Sequence, residues 1–161
     1  IFYRYEKKLH KTKVSVAVVV QKMVNSRISG VCFTAHPVTK DRGQMVIEAG
    51  FGLGEAIVSG MITPDTYIVD KEDETILDVN VASQEKMIVR KSGAGTKTAS
   101  VPRKLRDAQV LTGAQILGLA RLCKRIEAHY RRPQDIEWAI ENNTVYITQT
   151  RPITTLVHGR E

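Results

Sequence analysis

The chain has 161 residues, 42% of them hydrophobic, which is enough for one domain with its own core and excludes a disordered chain. Its longest unbroken apolar run, residues 16–20, is far too short to cross a bilayer, and no apolar stretch follows Arg4, Lys7 and Lys8 directly as in a signal peptide. The formal charge of +7 has a single source, because residues 86–106 hold seven basic side chains and no acidic one.

Residues 1–13 are charged and read as the tail of a preceding element. Residues 14–23, apolar except for Ser15, Gln21 and Lys22, predict a strand buried on both faces. Two short strands follow at 30–34 and 45–49, with a turn through Lys40-Asp41-Arg42-Gly43 between them. Gly50-Phe51-Gly52-Leu53-Gly54-Glu55 comes next, and residues 56–59 can open a short helix. Residues 67–70, 76–81 and 86–90 predict strands of a meander, with Lys71-Glu72-Asp73-Glu74 as a charged hairpin loop. Residues 92–96, Ser-Gly-Ala-Gly-Thr, have the composition of a mobile loop. One long helix begins at Thr112, which forms a capping box with Gln115. Ile116, Leu119, Ala120, Cys123 and Ile126 then recur at helical spacing, and the helix stops near His129 or Tyr130. These elements predict an α+β domain, mostly antiparallel, with one long helix and a C-terminal hairpin.

That hairpin, residues 134–153, turns at Asn142-Asn143 and has unusually polar strands. Asp135 and Glu137 share one face of the first strand, and Gln149 and Arg151 share one face of the second. A two-residue loop would pair Glu137 with Thr148 and send Gln149 to the other side. A three-residue loop, 142–144, would pair Glu137 with Gln149 and Asp135 with Arg151. The second register is favoured, because it leaves Ile136, Trp138, Ile140 and Tyr146 together on an apolar face. Two carboxylates, an amide and a guanidinium then form one patch. Oxygen ligands of that kind suit Mg²⁺, and a guanidinium can grip phosphate. A cross-strand salt bridge between Asp135 and Arg151 accounts for part of the same pattern without any ligand.

Other features carry less. The glycine segment can present backbone N–H groups to phosphate, but it matches neither a dinucleotide fingerprint nor a Walker loop and taken alone reads rather as a tight turn. Glu48 and Glu55 flank it. The basic stretch 86–106 attracts anions but contains no aromatic residue, which argues against a single-strand nucleic-acid site. Cys32 and Cys123 lack metal spacing and lie in apolar surroundings, the pattern of reduced thiols in a cytoplasmic protein. His10, His36, His129 and His158 show no metal spacing either.

Val18-Val-Val-Gln-Lys-Met-Val24, Ser29-Gly-Val-Cys-Phe-Thr34, the glycine segment, Thr63-Pro-Asp-Thr-Tyr67, Asp135-Ile-Glu-Trp138 and Thr148-Gln-Thr-Arg-Pro-Ile153 together resemble the nucleotide-binding domain of phosphoenolpyruvate synthases. Pyruvate phosphate dikinase and rifampin phosphotransferase share the pattern more loosely. The resemblance implies the C-terminal part of an ATP-grasp domain over residues 14–156, with 157–161 starting a linker. It implies Glu137 and Gln149 as holders of Mg²⁺-ATP, Arg151 as a catalytic phosphate contact and Asp135 as a further site acid. Gln21, Lys22, Met23 and Val24 match the hinge strand bordering the adenine. The implied cofactors are ATP and Mg²⁺. The implied partners are an N-terminal ATP subdomain, a phosphohistidine domain and a pyruvate domain, with neither membrane nor nucleic acid among them. Taken alone, the chain is expected to bind nucleotide weakly and to lack turnover.

Overall fold

Six antiparallel strands form the main sheet of the computed structural model, which describes residues 2–8, 15 and 17–154. After a short helix α1 (Phe2–Glu6), the strands are β1 (Ile28–Phe33), β2 (Gln44–Phe51), β3 (Asp65–Asp70), β4 (Ile76–Asn80), β7 (Gln134–Glu141) and β8 (Thr144–Pro152). Their order across the sheet is β4-β3-β2-β1-β7-β8. A second, two-stranded sheet pairs β5 (Lys86–Arg90) with β6 (Thr96–Ser100). Two further helices are α2 (Glu55–Val58) and α3 (Gly113–Tyr130).

Helix α3 covers one face of the main sheet. Thr112 and Gln115 form the expected capping box, and Ile116, Leu119, Ala120 and Cys123 are buried against the sheet. Cys32, Ile47, Tyr67, Ile136 and Trp138 meet them from the strands. Both cysteines are free and buried. Burial pushes the Cys32 thiol well up, and the neighbouring Cys123 adds to the effect. The α+β class, the antiparallel sheet, the long helix and the closing hairpin agree with the sequence reading.

Three expectations need correction. Residues 17–23 belong to no strand and are exposed, Val20 almost completely. Val14 and Val16 lie outside the described residues, as do residues 9–13 and 155–161. An apolar run expresses a need for burial, but no strand among the described residues pairs with this one. The expected meander also breaks after β4. Strand β5 turns back through residues 91–95 to β6 instead, so most of the expected loop is the turn of a separate hairpin.

The third correction concerns the C-terminal register. Glu141 pairs with Thr144, so the loop is the two-residue one, with φ 50° at Asn142 and 60° at Asn143. Such a turn matches the right-handed twist of the strands. Yet Glu137 faces Gln149 and Asp135 faces Arg151, as the three-residue loop would have required. A bulge reconciles the two: Trp138 pairs with Ile147, and Thr148 is the extra residue. Tyr146 consequently lies opposite Ala139, off the apolar face, and Ile147 takes its place against the core.

Candidate functional site

The face of the sheet away from α3 carries two polar rows. Register places Glu48, Val31, Glu137 and Gln149 side by side across β2, β1, β7 and β8. The next row is Val46, Phe33, Asp135 and Arg151. Arg151 donates from Nε and Nη2 to Oδ2 of Asp135, each at 2.7 Å. The carboxylate is nearly buried while the guanidinium is mostly exposed, so the remaining donors of Arg151 face outward. Asp135 pushes the guanidinium pKa further up. The plain salt bridge is therefore present, and it aims the cation. Gln149 Nε2 lies 3.5 Å from Glu137 Oε1, a weak contact between the two expected metal ligands.

A groove of about 450 Å³ adjoins Glu137. Gln21, Lys22, Met23 and Val24 form one wall; Leu53, Gly54 and Glu55 form another. The bulge contributes Thr148, whose carbonyl accepts from Gln21 Nε2 at 3.4 Å. The structure thus brings the predicted 21–24 segment, the glycine loop and Glu137 to one groove. Gln149, and Asp135 and Arg151 one row further along the sheet, lie outside its lining.

The glycine loop is tightly held. Ser26 and Ser29 hydroxyls both donate to the Gly52 carbonyl, at 3.0 and 2.8 Å. Leu53 N–H donates to Ile88 O at 2.8 Å. Gly52 has φ +84°, and a side chain there would strike the Ile88 carbonyl, so only glycine fits. Behind the loop, Gln84 accepts from Phe51 N–H and donates to the Ala49 carbonyl and Asp65. Asp65 is fully buried and also accepts from Tyr67 OH, Ala82 N–H and Val110 N–H. Neither serine nor Gln84 stands out in the sequence, because a lone serine or glutamine carries no pattern. Glu48 was legible only as a neighbour of the loop. Burial, and then Asp135, raise its pKa.

No group of three or more His, Cys, Asp or Glu among the described residues is arranged to hold a metal by itself. Glu137 and Gln149 still suit Mg²⁺. Their side chains meet across the strands, and Mg²⁺ takes few protein oxygens beside water and substrate phosphates.

Residues 1–161 match the family described as pyruvate phosphate dikinase, AMP/ATP-binding domain. The chain belongs to that family. It is 49% identical over 156 residues to a probable phosphoenolpyruvate synthase of Archaeoglobus fulgidus, covering 97% of this chain and 20% of that protein. With the phosphoenolpyruvate synthase of Pyrococcus furiosus the identity is 47% over 163 residues, covering 96% and 20%. A rifampicin phosphotransferase of Bacillus subtilis is 44% identical over 156 residues, covering 97% and 18%. The chain therefore spans about a fifth of these relatives' length. Its architecture agrees with a subdomain of the ATP-grasp fold. Among the described residues no helix is long and apolar enough to cross a membrane.

Proposed function

We propose that this chain is the Mg²⁺-ATP-binding part of a phosphoenolpyruvate synthase. The parent reaction converts ATP, pyruvate and water to phosphoenolpyruvate, AMP and phosphate, by way of a phosphohistidine on a separate domain. The observation that carries the reading is the bulged register, which sets Glu137 opposite Gln149 and Asp135 opposite Arg151 beside a groove walled by residues 21–24.

In this reading the adenine lies against Met23 and Val24 on the groove wall, since an adenine ring needs apolar contact together with backbone donors and acceptors. The phosphates run along the sheet toward Arg151. Glu137 and Gln149 are the residues that hold Mg²⁺, which when bound neutralises phosphate charge. Asp135 keeps the Arg151 guanidinium in place, so that its free donors meet a phosphoryl oxygen without reorganising. The two serines hold the glycine loop, which forms the facing wall of the groove.

Phosphoryl transfer depends on positioning and on several cations acting together. The acceptor and its domain belong to the longer protein, so the chain alone is expected to bind nucleotide weakly and not to turn it over. The test is calorimetric titration of the chain with Mg²⁺-ATP, set beside Glu137→Ala and Arg151→Ala. Loss of binding in both variants supports the reading; unchanged binding in both defeats it, and so does pyruvate-dependent AMP formation by the isolated chain. The similarity to the rifampicin phosphotransferase supports a second reading with the same nucleotide site and a different acceptor.

A further inference from the structure

No residue of the basic stretch 86–106 lines the nucleotide groove, and the structure sets part of it around a second cavity. On the other side of the glycine loop lies a hollow of about 570 Å³, within the range of about 300–1,000 Å³ usual for small-molecule sites. Ile28, Phe51, Met87, Val89, Leu105 and Val110 supply its apolar lining. Strand β5 presents Met87 and Val89 to it, whereas Ile88, between them in sequence, is buried with Leu53 and Ala56. Strand β5 therefore has apolar side chains on both faces, one buried and the other, Met87 and Val89, only half-buried.

Two arginines stand on the lining, Arg27 before β1 and Arg90 at the end of β5. Both side chains are exposed, and neither guanidinium has a hydrogen bond or ion pair among the described residues. Other arginines of this chain are engaged, Arg121 with Glu74 and Arg151 with Asp135. No acidic residue lines the hollow. The segment 86–106, Arg90 included, carries seven positive charges and no negative one, a field that draws anions toward this cavity. Apolar walls with two unengaged arginines on their lining are complementary to a molecule with an apolar body and an anionic head.

We propose that this cavity is a second ligand site, one that takes a small amphipathic anion: an aromatic or branched apolar body carrying a phosphate or carboxylate. Gly52 lines this cavity, Leu53 and Gly54 line the nucleotide groove, and Ser26 lines both. The two sites adjoin at Ser26 and are otherwise lined by different residues, and the inference does not depend on the nucleotide reading.

The probe is 1-naphthyl phosphate, titrated calorimetrically into the full 161-residue chain, with inorganic phosphate and 1-naphthol as the anionic and apolar halves. Saturable binding of the probe is expected, with each half binding at least about tenfold more weakly. The double variant Arg27→Gln/Arg90→Gln should weaken probe binding about tenfold or more, since each lost charge-assisted contact is worth a factor of that order. Leu105→Asp, which sets a carboxylate among the lining residues, should weaken it as well. Arg27 and Arg90 are exposed and Leu105 is 37% exposed, so circular dichroism of each variant checks that the fold is retained. The proposal is overturned if the probe does not saturate, if inorganic phosphate binds as tightly as the probe, or if the double variant binds it unchanged. It is equally overturned if Arg151→Ala weakens the probe while the double variant does not, because the probe then sits in the nucleotide groove.

Discussion

Substituting Asp65 by asparagine removes a single charge, yet its effect should be large, because the side chain sits where four donors converge. Oδ1 accepts from Ala82 N–H at 3.0 Å and Gln84 Nε2 at 3.2 Å. Oδ2 accepts from Tyr67 OH and Val110 N–H, both at 2.8 Å. An asparagine must turn its NH₂ toward one of these pairs. Facing Tyr67 and Val110, it leaves the buried Val110 N–H without an acceptor, even if the tyrosine hydroxyl rotates. Facing Ala82 and Gln84, it orphans Ala82 N–H and pushes Gln84 to flip, which breaks the bonds of Gln84 to Phe51 and Ala49. Each orphaned buried donor costs about 1–3 kcal/mol, and the variant takes the cheaper orientation, so the loss should be about 1–3 kcal/mol. With a urea m-value of about 2 kcal/mol/M, the midpoint should fall by about 0.5–1.5 M in unfolding followed by circular dichroism. Asp65→Ala, which leaves all four donors unmatched, should fall further. A midpoint for Asp65→Asn within about 0.3 M of the native chain would refute the claim that this carboxyl group organises the loops behind the site.

Gly52→Ala must adopt φ near +84° and press a methyl group on the Ile88 carbonyl; a loss of about 1–3 kcal/mol in the same unfolding assay is expected. Thr112→Ala removes the cap of α3 and should lower stability by about 1 kcal/mol. Glu48 has a raised pKa through burial, so the folded chain holds its proton more tightly than the unfolded one. Its contribution is lost as pH rises from about 4.3 through the folded value. Glu48→Gln should therefore be more stable than the native chain at neutral pH, and the gain should vanish in acid. Burial likewise pushes the Tyr67 phenol upward, so stability should fall as pH rises above about 10, a fall that Tyr67→Phe should reduce in pH-dependent melting.

The long helix and its cap were legible because apolar spacing and a hydroxyl–amide pair are local signals, and α3 follows them to within a residue or two. The face shared by Asp135, Glu137, Gln149 and Arg151 was legible for an indirect reason. The apolar set on β7 demanded one register while Asn142-Asn143 demanded another, and the sequence offers no local mark of the bulge at Thr148 that satisfies both. Residues 17–23 misled because hydrophobicity cannot say which surface covers a segment. The pairing of β5 with β6 was hidden by Gly93 and Gly95, whose turn resembles an unstructured loop in composition. Ser26, Ser29 and Gln84 could not be singled out, because their roles arise from contacts up to 35 residues apart.

The central claim is that Mg²⁺-ATP lies on the bulged hairpin between Glu137 and Gln149. Replacing Mg²⁺ by paramagnetic Mn²⁺ and titrating Mn²⁺-ATP into isotopically labelled protein would locate the metal through the broadening of backbone amide signals. Broadening should be strongest at Glu137 and Gln149, extend to residues 21–24 and Arg151, and collapse in Glu137→Ala. Broadening centred elsewhere, on the β5–β6 hairpin or the exposed acidic loop 71–74, would contradict the account.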